Sequence, residues 1–209
     1  EKPFGNNYLE ATKILKICKK KKIKLFINYM RTADPGAIKT LKIIKNNFIK
    51  DIKGTVFYDG STLNQASHLI NLLQFWFGKA DNIKLIKSDK GSKKLVGQNF
   101  ILNFKNKKFF FIGLNFKNYS YASIEIISPS GRIHYMERGE KIQWQKIQKD
   151  NLYCEKKIPS HRIVNIKNDM KNCQLNVLKE LYYSLKRKRS YLCKGSDAIE
   201  TLKLINKII

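Results

Sequence analysis

The chain has 209 residues, 43% of them apolar, with 12 Phe, 10 Tyr and 2 Trp. That is enough for one ordinary core and too aromatic for a disordered chain. The formal net charge is +26, yet Lys supplies 36 of the 42 basic residues and Arg only 6, all spread along the chain. Base readout and bidentate phosphate contacts favour Arg. The charge is therefore read as solvated surface that drifted with raised Ile, Asn, Phe and Tyr, and specific nucleic-acid binding is not expected. The longest apolar runs, such as 109–114, are too short to span a bilayer. Cys18, Cys154, Cys173 and Cys193 form no C-x-x-C pair, and no His lies at ligand spacing from them. Reduced thiols, no metal site and a cytoplasmic location are expected, and no secretion signal is read at the first residues.

In chain order, 7–21 reads as a helix. Tyr8, Ala11, Ile14, Leu15 and Cys18 recur at helical spacing, Asn7 can cap it, and Glu10 stands at the capping-box position. The basic run Lys19–Lys22 ends it, where cations suit the helix dipole. Alternation over 23–30 predicts a strand. Asp34 and Pro35 open a second helix that runs to about Phe48. A strand at 52–58 and a helix at 64–77, stopped by Gly78, follow.

From 82 to 148 the composition turns β-branched and aromatic, with strands predicted at 82–88, 99–104, 108–115, 122–128, 132–137 and 141–147. Turns at 106–107, 129–131 and 138–140 make consecutive strands antiparallel. The stretch 151–168 reads as loop with one edge strand, and helices at 173–186 and 196–208 close the chain. The fold class is α+β: a large, mostly antiparallel open sheet with helices on one face, preceded by one helix–strand unit that lacks its first strand. Phe111 and Trp144 either face the core or mark a homo-oligomer interface on the other face.

Two stretches carry candidate chemistry. Glu1-Lys2-Pro3 sits at the mouth of the opening α/β unit, where open sheets bind ligands. In 60–73, Asn64, His68 and Asn71 fall at i, i+4 and i+7, a polar stripe on an otherwise apolar helix. An imidazole there suits proton transfer near neutral pH.

These residues resemble the Gfo/Idh/MocA family of oxidoreductases, which includes glucose–fructose oxidoreductase and inositol dehydrogenase. Glu1-Lys2-Pro3 is similar to the family's Glu-Lys-Pro motif. Phe26 to Arg31, followed by Pro35, resembles the strand and Arg that lead into its second domain. Gly60 to Leu73 is similar to its Gly-Gly-x-Leu-Asp-x-Gly-x-His-x-x-Asp pattern, and 195–208 to its closing helix. The resemblance implies that 1–31 is the end of a truncated Rossmann domain and 32–209 a substrate-binding and oligomerisation domain. It implies hydride transfer between NAD or NADP and a CH–OH carbon of a sugar, polyol or nucleotide-linked sugar.

By the same resemblance Lys2, His68 and Asn64 are catalytic, and Glu1, Lys2 and Pro3 lie against the cofactor. Arg31, Tyr29, Tyr58 and Asn71 are placed toward substrate, with a surface salt bridge as the other expectation for Arg31. Asn64 and Asn71 stand where the family often has Asp. Asn64 can orient an imidazole but cannot raise its pKa as a carboxylate would. The alternative is a catalytically silent member serving as a dimerisation or scaffold module. The phosphate-binding Gly-x-Gly-x-x-Gly turn is absent from these 209 residues. The chain by itself is expected to bind no dinucleotide appreciably, and tight NADH binding in a calorimeter would overturn that.

Overall fold

The computed structural model describes residues 1–5, 7–47, 51–86, 97–116 and 118–209. Helix α1 spans Tyr8–Lys20, and Asn7 caps it by accepting the Glu10 amide at 2.9 Å. Helix α2 spans Pro35–Asn47, and the Asp34 carboxylate accepts the Ala37 amide at 2.9 Å. Its expected end at Phe48 lies outside the described residues.

The segment predicted as a strand at 23–30 is not one. It is extended but pairs through a single bridge, Phe26 with Lys194. The Ile27 amide donates to the Cys193 carbonyl, and the Gly195 amide to the Leu25 carbonyl. Alternation was present, but a strand also needs a ladder of partners.

The main sheet is built from β1 (Lys53–Tyr58), β2 (Asn82–Leu85), β3 (Phe100–Phe104), β4 (Lys107–Gly113), β5 (Ala122–Ser128), β6 (Gly131–Met136), β7 (Lys141–Lys149), β8 (Lys157–Pro159) and β9 (Val164–Asn165). The order is β2-β3-β4-β1-β5-β6-β7-β8, with β9 also on β7. Only the β1–β4 pair is parallel among the described ladders. Positions 87 and 88 of the strand expected at 82–88 lie outside the described residues. The stretch 151–168 supplies two short edge strands where one was expected.

One face of this sheet is the core. Val56, Tyr58, Leu102, Phe109, Ile124, Ile133 and Ile142 alternate inward and are buried. Helix α3 (Ser67–Phe77) lies over them with α2, and the Trp76 indole donates to the Ala37 carbonyl at 3.0 Å. Phe111 and Trp144 belong to this inner layer, and Phe111 stacks on Phe100 with centroids 4.4 Å apart. They are therefore core residues and not part of an interface. The outer face instead exposes Phe110 and Ile127.

Helices α4 (Cys173–Leu185) and α5 (Gly195–Ile205) complete the chain. Helix α5 has two partners. Leu204 and Ile205 join the main core, while Ala198, Ile199 and Leu202 join Phe4, Ala11, Ile27 and Tyr29 in a smaller cluster. The last helix thus clamps the first thirty residues against α3. No described helix is long and apolar enough to cross a membrane.

Candidate active site

The helix predicted from Asn64 starts later. Residues Thr62–Ala66 form a wide π-type turn, and regular α-helix begins at Ser67. The Ser61 hydroxyl accepts the Asn64 amide at 3.0 Å, a cap that placed Asn64 inside the turn and not ahead of it. Widened turns of this kind present backbone groups that a regular helix would consume. Here the Asn64 carbonyl accepts from the Lys2 ammonium at 3.1 Å and from the Ser67 hydroxyl at 2.9 Å.

Lys2 therefore reaches the helix that carries His68, across 62 positions of sequence. The opening strap is held by Asn28, whose amide donates to the Glu1 carboxylate at 3.1 Å. The Lys2–Pro3 bond is cis. Asn28 was not singled out from the sequence, although it lies within the stretch 26–31 that was.

His68 is 8% exposed. The Tyr29 ring meets the imidazole edge to face, with centroids 5.5 Å apart. The Tyr29 hydroxyl is tied to Ser67, and burial holds its pKa well above the ordinary phenol value. The buried Nδ1 of His68 has no hydrogen-bond partner among the described residues. Burial first, then the positive charges of Arg31 and Lys2, push the His68 pKa down to about 3. The imidazole is neutral at neutral pH. Lys2 is itself pushed down, by burial and then by Arg31. The stretch 1–3, Tyr29, the Asn64 carbonyl and His68 thus meet in one place.

The remaining expected residues do different work. Arg31 is buried, and its guanidinium donates to the Tyr135 hydroxyl at 2.8 Å and to the Arg138 carbonyl. Among the described residues Arg31 makes no salt bridge, the other expectation for it, and the cation acts on His68 through its field. Tyr58 faces the core and not a ligand. Its hydroxyl donates to the Gln98 carbonyl at 2.6 Å beside Thr62, and burial pushes its pKa up to about 12. Asn71 turns toward α5, donating to Cys193 Sγ at 3.3 Å and Thr201 Oγ1 at 3.2 Å. Burial pushes the Cys193 thiol up to about 12. The side chains of the polar stripe are thus divided: His68 faces the N-terminal strap, and Asn71 fills the seam between α3 and α5. Among the described residues no group of three His, Cys, Asp or Glu is placed to hold a metal ion.

No family model matches the chain, and no curated protein matches it. Solved structures do. UDP-N-acetylglucosamine 3-dehydrogenase GnnA from Acidithiobacillus ferrooxidans superposes with a TM-score of 0.78 at 9% identity, covering 99% of this chain and 68% of that one. An NAD binding oxidoreductase from Klebsiella pneumoniae gives 0.81 at 10% identity, with coverage of 99% and 69%. The WlbA dehydrogenase from Bordetella pertussis, solved in complex with NADH and UDP-GlcNAcA, gives 0.71 at 12% identity, with coverage of 99% and 67%. The chain therefore has the fold of about two thirds of these oxidoreductases, which is the fold the Gfo/Idh/MocA resemblance implied.

Proposed function

We propose that this chain is the substrate-side part of a Gfo/Idh/MocA oxidoreductase that transfers hydride between NAD or NADP and a CH–OH carbon of a sugar, polyol or nucleotide-linked sugar. The observation that carries the reading is the meeting of Lys2 with the helix of His68 beside an imidazole nitrogen that is buried and unpartnered. The two groups have complementary roles. An ammonium donates to the reacting oxygen and stabilises negative charge on it. A neutral imidazole accepts the hydroxyl proton as the carbon is oxidised.

The dinucleotide supplies the hydride acceptor or donor when bound. Glu1, Lys2 and Pro3 would lie against it. The phosphate-binding turn is absent from these residues, so the rest of its site is assigned to residues outside the 209. The division proposed is 1–31 with the dinucleotide domain and 32–209 with substrate and assembly. The outer sheet face, with Phe110 and Ile127 exposed, is proposed as a homo-oligomer contact in a cytoplasmic enzyme.

A second reading, a catalytically silent dimerisation or scaffold module, is favoured by the low proton affinity of His68. The two separate on one experiment. The complete polypeptide is screened with NAD and NADP against sugars, polyols and nucleotide-linked sugars, following nicotinamide absorbance. Turnover of at least one class is the expected result. Dinucleotide binding without turnover of any class would favour the silent module, and neither binding nor turnover would remove both readings of the site.

A further inference from the structure

Two basic runs far apart in sequence, 19–24 and 186–189, are brought together by the fold. They border a cleft of about 560 Å³ between α1, the bridged segment 23–26, the end of α4 and the start of α5. Lys19, Lys24, Arg187, Lys188, Arg189 and Lys194 line it, and among the described residues no Asp or Glu does. Other clefts carry their cations with carboxylates: Lys79 stands with Asp197 and Glu200, and Lys39 and Lys42 with Asp169 and Glu180. None of the six cations takes part in the ion pairs found among the described residues.

The chain geometry directs both runs here. Helices α1 and α4 each end through a residue in the left-handed region, Lys22 at φ 56° and Arg187 at φ 57°. The Ile23 amide closes back on the Cys18 carbonyl, and the Lys188 amide on the Tyr183 carbonyl. This ending favours glycine, and both positions carry a basic residue instead. The floor is fixed by the bonds between 25–27 and 193–195. Arg189 is steadied over the Tyr191 ring at 5.0 Å, and that ring rests edge-on against Phe75.

Cations at helix C-termini are ordinary, so magnitude decides whether the cleft is merely that. Two C-termini contribute about half a negative charge each, and the α5 N-terminus returns about half a positive one. The dipoles, with the Asp197 carboxylate that accepts from the Lys194 amide and the Ser196 hydroxyl, together offset about one and a half charges out of six. A concave surface holding that excess concentrates anions, and guanidinium groups match phosphate oxygens in pairs. A nucleic-acid backbone calls for an extended stripe with aromatic platforms, whereas among the described residues Phe26 is the one aromatic lining this cleft.

We propose that this cleft binds a small anion carrying two or more phosphate groups. The site includes neither Lys2 nor His68 and stands apart from the oxidoreductase reading.

The test is calorimetric titration of the 209-residue chain with tripolyphosphate and pyrophosphate in about 150 mM NaCl, where long-range surface attraction is screened. Saturable binding at one site per chain is expected. Arg187→Gln with Arg189→Gln should weaken it about tenfold or more, by loss of the paired contacts. Lys39→Gln with Lys42→Gln removes the same charge elsewhere and should change it less than about threefold. If the arginine pair does not fold, judged by its melting transition, Lys188→Gln with Lys194→Gln replaces it with the same expectation. The proposal is overturned by absence of saturation, by equal weakening in both pairs, or by sulfate binding as tightly as tripolyphosphate. It is overturned equally if single-stranded oligonucleotides displace the phosphate with affinity rising with their length.

Discussion

Replacing His68 by Ala in the complete enzyme is expected to lower kcat by about 10²- to 10⁴-fold, the usual yield of a positioned general acid or base. On the proposed function, KM for the substrate should move far less, because the imidazole would act on the proton in flight. The argument is local. His68 is buried, neutral, and carries a nitrogen without a partner. The Lys2 ammonium, fixed by the Asn64 carbonyl, acts on it through its charge. Lys2→Met should fall in the same range, because an oxygen gaining negative charge then loses its donor. Dinucleotide affinity of the His68 variant serves as the control, since the imidazole is not assigned to that ligand. A His68→Ala enzyme that turned over at the original rate would remove the imidazole from the chemistry and leave the scaffold reading standing.

Much of the architecture could be read from residue pattern because its determinants are local. Asn7 capped α1 as expected, and β-branched and aromatic composition broken by short turns marked the strands of the meander, where Ile124, Ile126, Ile133 and Tyr135 are buried. Errors arose where pattern was satisfied without its partner. Residues 23–30 alternate well, but among the described residues their one β-bridge is Phe26 with Lys194. Phe111 and Trp144 were ambiguous because the outer face also carries apolar residues, Phe110 and Ile127 among them. Counting alternation cannot say which side has the helices.

The candidate site was legible in part for the same reason. Lys2 and His68 were chosen on motifs, and their approach follows from a fold that the pattern allowed. Arg31 was not legible. Its partners Tyr135 and Arg138 lie 104 and 107 positions away, and no local signal distinguishes a buried guanidinium from an exposed one. The cleft formed by 19–24 and 186–189 was hidden likewise. Each run alone reads as a helix end, and only their juxtaposition gives it an excess of charge.

The environment of His68 also predicts how the chain loses stability in acid. Its pKa falls from 6.5 to about 3 on folding. Between those values the unfolded chain holds a proton on this residue that the folded chain does not. Stability therefore rises with pH across the window and is lost as pH falls from about 6.5 toward 3, at up to about 1.4 kcal/mol per pH unit. By pH 4 this one residue should account for about 3 kcal/mol of the loss from pH 7. Replacing it by Gln, which cannot titrate, isolates the effect from Asp34 and His134, whose shifts remain in both proteins. Urea unfolding at pH 7, 5.5 and 4 should show the original chain losing stability faster than His68→Gln, with the two curves converging toward low pH. Curves that stayed parallel would mean that the imidazole takes up its proton while folded, and that neither burial nor the charges of Arg31 and Lys2 hold its affinity down.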